Sequence, residues 1–223
     1  MEPLSTYQLI NFLIYDSGTN IMKKLPLIFY QRPDVVQIAK DLLGKILVTE
    51  WKGKITSGRI VETEAYAGAT DNASHASGGR RTQRNEIMYA DGGVAYVYLC
   101  YGIHHLFNVV TNVKENPHAV LIRALDPMKG IKNMLERTGK EKPDLTLTKG
   151  PGNVSKALGI YTKHNGSSLR GNQIYIAADG FSYSVNEIVA SPRIGVEYAG
   201  KDAKLPFRFY VKGNPFVSGR PNK

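Results

Sequence analysis

Two stretches of β-forming residues joined by a short turn restrict the fold of this chain most strongly. They span residues 46–51 and 55–67, and Lys52-Gly53-Lys54 lies between them. This arrangement predicts an antiparallel strand pair, because glycine readily adopts the backbone angles of a tight turn. Side chains alternate between the two faces of a strand. One face of the second strand is therefore expected to carry Ile60, Glu62, Glu64 and Tyr66.

Further strand-like runs recur along the chain, at residues 94–100, 106–111, 119–125, 173–177, 187–196 and 207–211. Residues 67–93, in contrast, are polar and rich in Gly, Arg, Asn and Ser, which predicts a long loop with one short helix. Loops of this length in a compact domain tend to carry function.

Three short helical patterns lie among these strands. The first opens at Pro33 and ends at Gly44, and its apolar face consists of Val35, Ile38, Ala39 and Leu42. The second is capped by Asp126-Pro127 and ends at Gly139, and its buried stripe consists of Met128, Ile131, Met134 and Leu135. The third follows Gly150-Pro151-Gly152. Neither a repeat nor a composition break divides the chain, so the pattern predicts a single α+β domain with a mostly antiparallel β-sheet and short flanking helices.

The first 21 residues differ from the rest because they contain no Lys or Arg. Residues 9–15 form an apolar run, but it has no basic region before it and no Ala-x-Ala cleavage site, so it is a poor secretory signal. Met22-Lys23-Lys24 reads like a protein start. We therefore expect residues 1–21 to be a non-native or disordered extension and residues 22–223 to form the domain; a genuine N-terminal helix is the alternative.

The charge of the chain indicates a polyanionic partner. Its 29 Lys and Arg residues against 19 Asp and Glu residues give a formal net charge of +10. Such an excess favours binding to DNA, RNA or an acidic protein. Cys100 is the only cysteine, which excludes an internal disulfide and a multi-cysteine metal site and is typical of a reducing cytoplasm. No stretch approaches the roughly 20 apolar residues that span a bilayer.

Glu62, Glu64 and Tyr66, followed by His75, form the densest cluster of chemically active side chains. Two carboxylates on one strand face could act as an acid/base pair or bind a metal ion. A metal site is disfavoured, because few other acidic groups lie nearby and no His/Glu spacing matches a metal motif. The alternative for the two glutamates is an exposed strand face in contact with solvent.

A second cluster is aromatic and consists of Tyr96, Tyr98, Tyr101 and Phe107. In a basic protein such rings offer flat faces to unstacked nucleobases, each stack contributing roughly 1–3 kcal/mol; a Tyr-rich strand and turn without a ligand is the alternative. Residues 78–85 contain paired glycines and several arginines. Such a loop could bind phosphates or remain solvated.

A distinctive set of short motifs runs through the chain. It consists of Arg59-Ile60-Val61-Glu62-Thr63-Glu64-Ala65-Tyr66, His75, Gly78-Gly79-Arg80, Thr82, Arg84-Asn85, Tyr96-Val97-Tyr98 and Tyr101-Gly102. Matching motifs continue at residues 120–125, 149–152, 193–195 and 208–211. This set closely resembles the alkyladenine (3-methyladenine) DNA glycosylase family, and the resemblance covers the chain from about residue 25 to its C-terminus.

The resemblance implies roles for individual residues. Glu64 would be the general base that deprotonates the attacking water, and Arg123 would be its partner at the water site. Tyr101 would wedge into the minor groove of the DNA. The base pocket would be formed by Tyr66, His75, Tyr98 and Asn108, with Asn108 placed where it clashes with the amino group of guanine. Contacts with the DNA backbone are expected from Arg80, Arg84 and Lys149. At Asn153 the family pattern leads us to expect a basic residue, so one phosphate contact is missing there.

The implied activity is base-excision repair by a monofunctional DNA glycosylase that uses no metal and no other cofactor. Its partner would be double-stranded DNA containing alkylated or deaminated purines. We expect a cytoplasmic monomer without an obligatory protein partner. No lysine lies among the matched pocket residues, so strand cleavage is not expected. A catalytically silent binder of damaged DNA and a metal-dependent nuclease are the alternatives, and the preference among alkylated and deaminated purines stays open.

Overall fold

An antiparallel sheet forms the centre of the molecule. A computed structural model describes residues 22–219, and nine strands of this part of the chain belong to the sheet. They are β1 (Lys23–Lys24), β2 (Ile46–Trp51), β3 (Lys54–Tyr66), β4 (Ala95–Cys100), β5 (His104–Thr111), β6 (His118–Lys129), β7 (Ile174–Ala178), β8 (Ile188–Ser191) and β9 (Arg208–Val211). The strand order is β1-β7-β2-β3-β6-β5-β4, and β9 pairs with β3 and β8. All of these pairs are antiparallel.

Short helices connect and flank the strands. The α-helices are α1 (Leu27–Tyr30), α2 (Val35–Asp41), α3 (Ile131–Thr138) and α4 (Pro151–Leu158). Short 3-10 segments lie at Gly68–Thr70, Ser77–Gly79, Glu86–Tyr89, Thr162–His164 and Val185–Glu187, and a longer one, kinked at Gly200, lies at Glu197–Lys204. This architecture confirms the predicted α+β fold with a mostly antiparallel sheet and short flanking helices.

Helices α2 and α4 pack their apolar faces into the main core. The predicted stripe of α2 is buried there, and so are three residues of α4, namely Val154, Ala157 and Leu158. Asp34 caps α2, because its carboxylate accepts a hydrogen bond of 2.9 Å from the backbone N–H of Gln37. The first and third predicted helices are therefore confirmed.

Strand β3 contains a bulge that changes which side chains share a face. The register with β6 shifts between Ile60 and Glu62. Ile60 and Ala65 both lie in the main core, although they are five positions apart and a regular alternation would put them on opposite faces. The prediction that Ile60 shares a face with Glu64 is wrong, because the extra residue of the bulge reverses the alternation.

The second predicted helix begins later than expected. Strand β6 continues through Asp126-Pro127 and Met128 to Lys129, and Gly130, with φ of 77°, separates it from α3. Pro127 lies at a register shift opposite Gly58, where a missing N–H donor is tolerated. The end of this helix at Gly139 is confirmed.

Two further regions differ from their predicted form. The strand expected at residues 187–196 is short and stops at Ser191, before Pro192. The long polar loop contains three 3-10 turns rather than one short helix. Residues 1–21 lie outside the described part of the chain, so their predicted status as an extension stays a prediction. Among the described residues, no helix combines the length and apolarity that a bilayer crossing requires.

Candidate active site

A cavity of about 570 Å³ opens beside the ends of β3, β4, β5 and β6. Seven of the residues to which the family resemblance assigns a role line it, namely Tyr66, His75, Arg84, Tyr98, Tyr101, Asn108 and Arg123. The remaining wall includes Tyr96 and a loop formed by residues 194–198. The structure therefore brings together most of the side chains that the family resemblance grouped.

Glu64 lies immediately behind this wall. Its side chain is fully buried, which excludes the alternative of a solvent-exposed strand face. Oε1 accepts a hydrogen bond of 2.8 Å from the backbone N–H of Ile194 and lies 3.3 Å from Nη1 of Arg123. Oε2 accepts a hydrogen bond of 2.8 Å from the Tyr66 hydroxyl. These donors compensate the carboxylate for the loss of water around it.

Arg123 reaches the cavity from β6 and is nearly buried. Each of its nitrogens has a partner: Nε donates to Glu62 at 3.0 Å, Nη1 faces Glu64, and Nη2 donates to the Ser218 hydroxyl at 3.1 Å. Burial disfavours the charged guanidinium, but the Glu64 and Glu62 carboxylates outweigh burial and raise its pKa. Arg123 is therefore a fixed positive charge beside Glu64.

Tyr66 connects the Glu64 carboxylate with the cavity, because it lines the cavity and bonds to Glu64. Burial and the neighbouring Glu64 raise the pKa of its phenol well above the usual range, so the hydroxyl stays protonated and donates to Glu64. Arg193 packs against the ring, with its guanidinium carbon 4.8 Å from the ring centroid. Arg193 in turn forms a buried ion pair with Asp71 and donates to the backbone carbonyl of Ala65 at 2.8 Å. The Tyr66 ring is thus held at its hydroxyl by Glu64 and on one face by Arg193.

A group of aromatic rings forms the opposite side of the cavity. His75 lies edge-on to Tyr98, with ring centroids 4.7 Å apart, and its Nδ1 lies 2.7 Å from the Tyr96 hydroxyl. Tyr96 and Tyr98 lie on one face of β4, as predicted, with centroids 5.2 Å apart. Burial, together with the positive charges of Arg84 and Arg80, lowers the pKa of His75 to about 4. The imidazole is therefore neutral at physiological pH.

Asn108 contributes an amide from β5. It is nearly buried, and its Nδ2 donates to the backbone carbonyl of Tyr96 at 3.2 Å. Because Asn108 and Tyr96 are paired residues of neighbouring strands, this bond fixes the amide in the cavity wall.

Tyr101 stands at the rim, in the turn that joins β4 to β5. Its side chain is 89% exposed, and its φ of 50° is unusual for a residue with a side chain. Gly102 follows with φ of 73°, and Ile103 is also exposed. A turn built in this way projects an aromatic ring beyond the cavity mouth.

Of the three residues expected at the DNA backbone, Arg80 and Arg84 lie together and Lys149 lies apart from them. Arg84 lines the main cavity and an adjoining polar cavity of about 470 Å³, which Arg80 also lines. Both side chains are exposed. Lys149 lines neither cavity, and its Nζ donates to the backbone carbonyl of Pro215 at 3.3 Å.

Several residues of the site were not found from the sequence. Asp71 lies in the polar loop, and Arg193 belongs to a matched motif, but neither pattern indicates that they pair. Tyr198 is 71% exposed and lines both cavities, and its hydroxyl donates to the Ala73 carbonyl at 3.1 Å. Ser218 gives no sequence signal at all. Among the described residues, no three His, Cys, Asp or Glu side chains lie close enough together to hold a metal ion.

Comparison with known proteins identifies the family of this chain. The sequence profile described as "Methylpurine-DNA glycosylase (MPG)" matches residues 28–215. A protein of Chlamydia felis is 50% identical over 188 residues, which are 84% of this chain and 95% of the relative. A protein of Bacillus cytotoxicus is 46% identical over 203 residues, 87% of this chain and 99% of the relative.

A third relative, from Desulfitobacterium hafniense, is 43% identical over 204 residues, which are 88% of this chain and 99% of the relative. All three relatives bear the name "Putative 3-methyladenine DNA glycosylase". The match covers most of the chain and includes the cavity residues and Glu64 behind them. It confirms the resemblance found in the sequence: the chain belongs to the methylpurine-DNA glycosylase family.

Proposed function

We propose that this protein is a base-excision glycosylase that takes alkylated purines out of double-stranded DNA and hydrolyses their N-glycosidic bonds. The observation that carries the proposal is the buried Glu64 carboxylate behind an aromatic-lined cavity in a member of this family. An anomeric carbon inside a duplex is inaccessible, so the nucleotide has to be extruded before it can react.

The cavity walls suit a cationic, flat base. The faces and edges of Tyr66, Tyr98 and His75 converge on the cavity. An N-alkylated purine carries a positive charge, which an aromatic face attracts by about 0.5–2 kcal/mol. A neutral His75 adds no repulsion to this attraction. In the role that the family resemblance implies, the Asn108 amide would clash with the 2-amino group of guanine, so we expect it to disfavour undamaged guanine.

Glu64 has the hydrogen-bonding capacity to activate a water molecule. Its Oε1 already accepts from Ile194 and faces Arg123, whereas Oε2 accepts a single bond from Tyr66. A carboxylate oxygen accepts two hydrogen bonds, so Oε2 can accept a second one from water on the cavity side. Glu64 would take the proton of this water and stabilise the positive charge that develops on the sugar.

Arg123 and Tyr101 complete the proposed mechanism. The Arg123 guanidinium would orient the Glu64 carboxylate through the contact between Nη1 and Oε1. Tyr101 would fill the space that the extruded nucleotide leaves in the duplex, which its exposed ring at the rim allows. Within residues 22–219 no lysine lines the cavity, so this part of the chain offers no amine there for a covalent lyase step.

The test is single-turnover release of free base from an alkylated duplex in the presence of a chelator. We expect the wild-type protein to release free purine and leave an alkali-labile abasic site. Glu64→Gln should bind the DNA but lower the release rate at least ~100-fold, the low end for loss of a general base. Glu136→Gln, an exposed glutamate paired with Lys54, is the matched control and should excise normally.

The outcomes separate the competing functions. Binding of damaged duplex without release of base would identify a non-catalytic damage binder. Strand cleavage that the chelator abolishes would identify a metal-dependent nuclease. Near-normal excision by Glu64→Gln would remove Glu64 from the role of general base.

A further inference from the structure

Glu62 is the one carboxylate of the Glu-Thr-Glu motif that the proposed reaction leaves without a role. Its side chain is fully buried, and it does not line the cavity. Oε1 accepts hydrogen bonds from Nε of Arg123 at 3.0 Å and from Nε of Arg208 at 2.7 Å. Oε2 accepts a bond of 2.6 Å from the backbone N–H of Ser218. A buried carboxylate that accepts this many hydrogen bonds from charged and backbone donors is held in one orientation.

Ser218 closes the same network from the C-terminal side. Its hydroxyl accepts from Nη2 of Arg123 at 3.1 Å, and its backbone carbonyl accepts from Nη2 of Arg208. Phe216 anchors this segment in a small apolar cluster with Val61 and Val211. Glu62, Arg208 and Ser218 therefore surround the side of Arg123 that faces away from Glu64.

These hydrogen bonds restrict the Arg123 guanidinium to one orientation. With Nε held by Glu62 and Nη2 held by Ser218, the planar guanidinium can direct only Nη1 at Glu64. The charges are also balanced, because two carboxylates, Glu62 and Glu64, face two guanidinium groups in a buried setting. An arginine without these partners would sample other rotamers, since its long side chain has several.

We propose that Glu62 is a positioning residue, which together with Ser218 holds Arg123 in the orientation that supports Glu64 during base excision. The inference rests on the proposed function, in which Arg123 and Glu64 act at the water site. In metal sites the side chains that bind the metal are held by such an outer layer of hydrogen bonds, whose loss typically lowers activity or affinity about 10- to 100-fold; the same physical argument applies to the groups that hold Arg123. Glu62 itself touches neither the substrate nor the water.

Glu62→Gln is the direct test, because it keeps the size of the side chain and changes its hydrogen bonding. The amide has one acceptor and one donor end, whereas Glu62 meets donors at both of its oxygens. The NH₂ group of the glutamine must therefore face an N–H donor, and no hydrogen bond can form between two donors. We expect the single-turnover excision rate to fall about 10- to 100-fold, while the concentration of enzyme that half-saturates damaged DNA stays unchanged.

A double-mutant cycle distinguishes positioning from a general structural role. If Glu62 acts through Arg123, Glu62→Gln should lower the rate of an Arg123→Ala enzyme by less than about 3-fold, since the interaction is already absent there. Equal losses in the wild-type and Arg123→Ala backgrounds would overturn the inference. So would a folded Glu62→Gln enzyme with a normal rate.

Two further variants keep the test decisive. Asp179→Asn removes a partner from another shielded ion pair, with Arg59, whose hydrogen bonds go to Gly44 and Asp179 and not to the Arg123 network; it should lower the melting temperature but leave the excision rate unchanged. If Glu62→Gln does not fold, Ser218→Ala replaces it, because that variant removes only the hydroxyl contact with Arg123. We expect a loss of about 3- to 10-fold that disappears in the Arg123→Ala background.

The proposed function and this inference fail in different ways. Failure of the function appears as normal excision by Glu64→Gln or as no excision by the wild-type protein. Failure of the inference appears in the cycle alone, with Glu64→Gln still inactive. A normal rate for Arg123→Ala would overturn the inference, because Glu62 would then have no group to act through.

Discussion

Tyr66 illustrates how single residues of this site are fixed by charges that do not face the cavity. The Arg193 guanidinium covers one side of its ring, and the Asp71 carboxylate neutralises that guanidinium. Asp71 also accepts backbone hydrogen bonds from Ala67 and Ala73, which brings the long loop against β3. One ion pair therefore orders both a pocket wall and the loop that carries His75.

Breaking this pair should destabilise the whole protein. Arg193→Gln would leave the buried Asp71 charge without its partner, which typically costs about 3–5 kcal/mol of unfolding free energy. Arg81→Gln is the contrasting variant, because Arg81 pairs with Glu86 and Glu115 at an exposed site; exposed pairs contribute about 0–1 kcal/mol. Urea unfolding measures both. Equal costs for the two variants would show that the Asp71–Arg193 pair does not have the energetics of a buried pair.

His75 should titrate at an unusually acidic pH. Its pKa of about 4 reflects burial first and the charges of Arg84 and Arg80 second. Since the folded pKa lies below the usual value of about 6.5, the neutral imidazole favours the folded state above that value. This contribution to stability is lost as the pH falls from about 6.5 towards 4.

NMR titration of the His75 ring provides the measurement. Arg84→Gln should raise the pKa of His75 by about half a unit, the size expected for a charge screened by nearby water. Burial remains in that variant, so the pKa should stay below its usual value. Arg81→Gln should leave it unchanged, because Arg81 does not contribute to the shift. A His75 that titrates near 6.5 in the wild-type protein would contradict the closed packing of this cavity.

At the scale of elements, the turn between β4 and β5 and the strand β3 have separate tasks in the proposed reaction. The turn places Tyr101 at the rim of the cavity with its ring exposed, whereas β3 places Tyr66 in the cavity wall next to Glu64. Tyr101→Ala would remove the group that fills the duplex. Its excision rate should fall strongly on fully paired damaged DNA and recover partly opposite a mismatch or an abasic gap, where unstacking costs less than the usual few kcal/mol.

Tyr66→Ala should lose activity on both substrates, because the extruded base needs its stacking wall however easily it leaves the duplex. Single-turnover rates on paired and gapped substrates compare the two variants. If Tyr101→Ala and Tyr66→Ala lose activity equally on both substrates, Tyr101 is not a wedge.

The sequence predicted the positions of the strands more reliably than their bulges and their exact ends. Alternation and turn residues located the β2–β3 hairpin and the pair β4 and β5 almost to the residue. The bulge in β3 has no local signal, because it arises from pairing with β6 and β9 at once. The late start of α3 was missed for a related reason. Asp126-Pro127 is typical of a helix cap, but both residues pair with β3 and therefore belong to β6.

At the scale of the whole molecule, the site is assembled from segments that are far apart in sequence. Glu64 bonds to Ile194 across 130 positions, and Glu62 bonds to Ser218 across 156 positions. The family resemblance supplied the residues that face the cavity, because they form recognisable motifs. Asp71 and Ser218 lie outside the motifs, and only the fold shows that they hold those residues in place.

The net charge of +10 leads to the last prediction, which concerns DNA binding as a whole. Each DNA phosphate neutralised by a basic side chain releases counterions, so the logarithm of affinity should fall with the logarithm of salt concentration by about 0.9 per phosphate. We expect a steep slope for undamaged duplex in equilibrium titrations from low to physiological salt. Arg84→Gln should reduce the slope by about 0.9, because Arg84 is exposed at the cavity mouth. Lys54→Gln, at the start of β3 and outside both cavities, should not change it. A flat salt dependence would show that this surface does not bind phosphates.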